Sequence, residues 1–95
     1  MNLQKAQQRL AKRAKASVNG YPQVSIAYFG SAPTLATKVV LCFVAEQGAA
    51  PEHQSFTTST DIRFDETIQT TLLKIVERLE AKTLTLVEGV APLKD

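Results

Sequence analysis

The run Val39-Val40-Leu41-Cys42-Phe43-Val44-Ala45 has no polar position. Its β-branched and aromatic residues suit a strand, and strand side chains alternate between two faces. One face then carries Val39, Leu41 and Phe43, and the other carries Val40, Cys42 and Val44. Both need cover. Such a strand is either central and buried on two sides, or has an outer face that meets a second subunit. Val40, Cys42 and Val44 are therefore the candidate interface.

The neighbouring segments place this strand in a sheet. Pro22 to Phe29 alternates in the same way, and Gly30-Ser31-Ala32-Pro33 supplies a turn, so the two segments form an antiparallel hairpin. After the loop Gln47–Pro51, Gln54 to Thr60 reads as a Thr-rich third strand with Phe56 as its one large anchor. So polar a strand belongs at an edge or on a solvated face. Asp61 to Phe64 either extends it or leads irregularly into a helix.

Two helices flank the strands. Glu66 to Ala81 places Ile68, Leu72, Ile75, Val76 and Leu79 on one face, with Leu73 at its margin. Gln69, Thr70, Lys74, Glu77, Arg78 and Glu80 fall on the other face. Asp65 is suited to cap the helix, and Glu66 sits at the positive end of its dipole. The first helix covers 1–18, with a thin apolar stripe of Leu3, Ala6, Leu10 and Ala14, and Asn19-Gly20 is its stop. After Lys82, Thr83 to Val87 alternates as a short last strand ended by Gly89 and Pro92, and 90–95 reads as a loose tail.

The expected fold is one small α+β domain over 1–95. Its order is helix, three antiparallel strands, helix and short strand, with both helices on one face of a mainly antiparallel sheet. The helix–three strands–helix order is similar to that of double-stranded RNA-binding domains. The resemblance stops at element order. The second helix opens Asp65-Glu66-Thr67-Ile68-Gln69, where those domains carry a basic segment, and a glycine-proline-x-histidine loop is absent.

Charge is segregated along the chain. The first forty-five residues hold Lys5, Arg9, Lys12, Arg13, Lys15 and Lys38 and no acid, whereas the rest hold nine acids against five bases. The net charge of +2 thus conceals one strongly positive region. Lys5, Arg9, Lys12 and Arg13 fall three and four residues apart on the first helix, with Lys15 further round. They can track a phosphate backbone, face an acidic partner, meet acids such as Glu77 and Glu80 within or between subunits, or simply keep an Ala-rich helix solvated.

Other chemistry is sparse. With no Trp and six aromatics, a rich base-stacking platform is not expected. The single His53 sits beside Glu52, but adjacent strand residues point to opposite faces, so it reads as a surface histidine. The single Cys42 lies in apolar sequence and reads as a core or interface residue, and one Cys with one His is too few for a zinc site. Gly30–Thr34 lacks the spaced glycines and Lys of a phosphate loop. No cofactor, metal or catalytic constellation is expected.

The basic N-terminus is not followed by a signal-peptide apolar core, and Val39–Ala45 is far too short to span a bilayer. A cytoplasmic setting without membrane contact is the expectation. The reading is a non-enzymatic interaction module that self-associates as a homodimer. The alternative is nucleic-acid binding through the basic helix.

Overall fold

Every backbone amide and carbonyl placed in the interior needs a partner, and here a four-stranded sheet and two helices supply them. The computed structural model describes residues 2–93. Helix α1 (Leu3–Ala16) is followed by β1 (Gln23–Gly30), β2 (Lys38–Val44), β3 (Glu52–Thr57), a 3-10 turn (Ile62–Phe64), α2 (Glu66–Leu79) and β4 (Thr83–Pro92). This is the expected α+β order, with the helices packed together.

The strands lie in the order β3-β2-β1-β4. β1–β2 and β2–β3 are antiparallel, whereas β1–β4 is parallel. The direction follows from the connection. β1 and β3 run the same way, α2 carries the chain back, and β4 starts again in the direction of β3. The crossover passes over β2 and β1, so β1 is an interior strand with no free edge.

β4 is longer than the expected Thr83–Val87. Between the pairs Ile26↔Leu86 and Tyr28↔Val90 it inserts extra residues as a bulge, with Gly89 at φ +79°. The bulge returns Val90 to the core side and lets the strand run on to Pro92. Residues 90–92 are thus strand rather than loose tail, and the Leu93 amide donates to the Gly30 carbonyl at 3.3 Å. Lys94 and Asp95, the end of that expected tail, lie outside the described residues.

The helices end earlier than the periodicity suggests. Asn2 caps α1 by accepting from the Lys5 amide at 2.8 Å, and Ser17 turns extended at its end. Asp65 caps α2 by accepting from the Ile68 amide at 2.9 Å, as its sequence position implies. At the other end Glu80 adopts the left-handed conformation, φ 51°, and stops α2 after Leu79.

The core fills the space between the helices and one sheet face. Val24, Ile26, Val39, Leu41 and Leu84 meet Leu10, Leu72, Leu73 and Val76, with Ile68, Ile75, Leu79 and Phe43 packed at its border. α2 has two neighbours, the sheet and α1, and this corrects its solvent face. Leu73 is fully buried rather than marginal, and Gln69 is 2% exposed rather than solvated. The Gln69 Nε2 donates to the Tyr28 hydroxyl at 3.1 Å and to the Ile62 carbonyl at 3.2 Å.

One glycine is dictated by contact. A Cβ on Gly30 would lie 1.8 Å from the Leu35 carbonyl oxygen, so the turn after β1 folds back onto a residue without a side chain.

Candidate interaction surfaces

Helices cover one face of the sheet and leave the other without a covering element among the described residues. The register assigns each residue to a face. Val24↔Phe43, Ile26↔Leu41 and Tyr28↔Val39 point to the helices, so Ser25↔Cys42, Ala27↔Val40 and Phe29↔Lys38 point away. Val40, Cys42 and Val44 are half-buried on the helix-free face. The candidate interface residues are therefore brought together on one open surface.

The rows across that surface are graded. Its two middle strands carry Ala27, Phe29, Val40, Cys42 and Val44, with Gln23 and Lys38 at their ends and Ser25 opposite Cys42. The outer strands carry Ser55 and Thr57 on β3 and Thr83 and Thr85 on β4. Cys42 is the direct cross-strand neighbour of His53, which is exposed. That adjacency was not legible in the sequence, because the two are eleven positions apart across an irregular loop. Among the described residues no three His, Cys, Asp or Glu side chains gather in a metal-binding group.

The basic residues lie on the opposite side of the molecule. α1 buries Ala6 and Leu10 against its own chain, so its Ala-rich stripe is not free for a partner. Lys5, Arg9, Lys12, Arg13 and Lys15 are all exposed. Lys5, Arg9 and Lys12 surround a shallow depression of about 530 Å³ with Gln8. Arg13 meets Glu77 of α2 at 3.7 Å, and both side chains are roughly two-fifths exposed, at 42% and 40%. One of the four clustered bases thus takes the acidic partner on the second helix that the charge pattern suggests.

A second charged feature stands at the entry to α2. Arg63 Nε and Nη2 donate to Asp61 at 2.9 and 2.6 Å, while the Asp61 carboxylate also accepts from the Arg63 amide at 3.1 Å. These side-chain bonds, with backbone bonds from Arg63 and Ala36, bring the Asp61 pKa down to about 2 against some opposing burial. Burial raises Tyr28 above its ordinary range, partly offset by its bond to Gln69. The Arg63 guanidinium lies 5.7 Å from the ring of Phe64, which is 65% exposed. This corner fixes the turn between β3 and α2.

No helix among the described residues is long and apolar enough to cross a membrane. No protein-family model, no curated protein and no solved structure matches the chain.

Proposed function

We propose that this chain is a small non-enzymatic interaction module that self-associates as a homodimer, two copies meeting through the helix-free face of the sheet. The observation that supports this reading is the pattern on that face. A solvated antiparallel face normally carries polar residues between the core positions. Here the middle strands present Ala27, Phe29, Val40, Cys42 and Val44, with Gln23 and Lys38 at their ends and Ser25 between, and Ser55, Thr57, Thr83 and Thr85 stand on the two outer strands. An apolar centre with a polar rim is the anatomy of a protein interface. A two-fold axis through such a patch sets it against itself.

Sedimentation equilibrium at micromolar concentration tests the reading. A dimer is expected. Val40→Lys with Val44→Lys should return the monomer while circular dichroism and the melting curve keep the fold. A wild-type monomer at the highest soluble concentration overturns the proposal.

A second reading rests on a different observation, the exposed Lys5, Arg9 and Lys12 around an acid-free depression. It makes the module a nucleic-acid binder through phosphate contacts. Binding to duplex would then fall with salt at a log–log slope of about −0.9 per phosphate neutralised. Arg9→Gln with Arg13→Gln would weaken it for all sequences alike. The acids at the start of α2 and the Arg13–Glu77 pair argue for the first reading. A cytoplasmic setting fits the single unpaired Cys42.

A further inference from the structure

β3 is an edge strand, and its hydrogen-bonding phase can be read from the structure. The Thr58 amide donates to the Thr37 carbonyl at 2.9 Å, at the end of the β2–β3 ladder. Across each peptide the C=O and N–H point opposite ways, and in an antiparallel ladder the direction alternates from residue to residue. Glu52, Gln54 and Phe56 therefore bond toward β2, in the pairs Phe43↔Glu52, Leu41↔Gln54 and Val39↔Phe56. His53, Ser55 and Thr57 turn their amides and carbonyls outward. This edge has no Pro, no Lys and no bulge within Glu52–Thr57, the usual devices against strand addition. β4, the other edge, has both a bulge and Pro92.

A groove runs beside this edge on the helix side. Its volume is about 440 Å³, and its apolar lining is Leu41, Phe43, Ile75 and Leu79. It exists because α2 lies over the inner strands while β3 lines it with the exposed Glu52, His53 and Gln54, and Phe56, the third helix-side residue of β3, packs against the core. Arg78 stands on the α2 wall and makes no ion pair among the described residues, and Lys74 lies one turn before it.

We infer that β3 and this groove form a docking site for an extended segment of a partner protein, which adds as a fifth strand. Alternate side chains of the segment are apolar and cover Leu41, Phe43, Ile75 and Leu79, and an acidic residue meets Arg78. The outward amides set the extended conformation, the groove sets the apolar alternation, and the basic wall sets the charge. A second copy of β3 is a poor occupant. Its own helix-side residues are Glu52 and Gln54, and Phe56 is already packed against its own core. The site is separate from the helix-free face, so it stands or falls independently of self-association through that face.

The probe is a library of short random peptides displayed on phage and selected against the full chain. Selected peptides should alternate apolar residues and contain Asp or Glu. In a nitrogen-15 spectrum they should shift and protect the amides of His53, Ser55 and Thr57. Ser55→Pro removes one outward donor without touching the β2 ladder, a position an edge strand tolerates. It should weaken binding about tenfold, the worth of a hydrogen bond or two. Arg78→Glu should disfavour the acidic peptides. Should Ser55→Pro unfold the chain, N-methylation along the peptide gives the same information, with losses at every second amide.

Four results overturn the inference. Selected peptides could map to the Val40–Val44 face. N-methylation could act without a period of two. A folded Ser55→Pro variant could bind as the wild type does. Loss of the homodimer in Ser55→Pro would also overturn it, by making a second copy the occupant.

Discussion

Asp61 and Arg63 are two residues apart, yet they do the work of a cap and an ion pair together. The folded pKa of Asp61 is about 2, against an ordinary value of 3.8. A carboxyl lowered by folding stabilises the folded state above its unfolded pKa and loses that contribution as pH falls through its folded one. Asp61→Asn keeps the cap acceptor and removes the charge. Because the pair borders solvent, the expected cost at neutral pH is about 1 kcal/mol. Urea unfolding should show the two proteins converging as pH falls from about 4 to about 2. Gln69 is the second decisive residue. Gln69→Ala leaves the Tyr28 hydroxyl and the Ile62 carbonyl without their buried partner, at a cost of about 1–3 kcal/mol, measurable in the same assay. Its role was hidden in the sequence because a polar side chain reads as solvent-facing, whereas Gln69 shares the buried stripe of Leu72, Leu73 and Val76 and meets Tyr28 of β1.

At the scale of elements, the helices and the central hairpin were legible because each carries a strong period of its own. Leu72 shows this well. It was expected to face the sheet, and it is fully buried there. Leu72→Ala should cost about 2–5 kcal/mol by thermal or urea unfolding, since the cavity sits under both helices. The limits of α2 were less legible, because a left-handed Glu80 carries no residue signal of the kind Gly or Asn gives. β4 was read short for a similar reason. Gly89 looks like a stop, but in the sheet it is the pivot of a bulge. The groove beside β3 was not legible at all, since it depends on where α2 lies over the strands.

For the whole molecule, the sequence pattern and the structure divide the labour clearly. An apolar strand with two apolar faces predicted cover on both sides, and the helices provide only one. β1 has no free edge, because β2 and β4 flank it. The remaining open face and the β3 edge are different surfaces, and each has its own test. If the face is the dimer interface, a Val40→Lys, Val44→Lys variant should be monomeric by sedimentation and still bind the selected peptides at β3.

The parallel pairing of β1 with β4 also has a consequence for synthesis. β1 is made early, but its partner on one side begins only at Thr83, after the whole β3–α2 crossover. Until then the nascent chain holds β1 with one side of its backbone unpaired, and no charge guards it between Tyr21 and Thr37. Contacts so distant in sequence form late, and an uncovered apolar edge can recruit another nascent copy. The last strand to appear is therefore the chain's own protective cover, and a chain stopped before Thr83 should be sequestered by chaperones or found in the insoluble fraction.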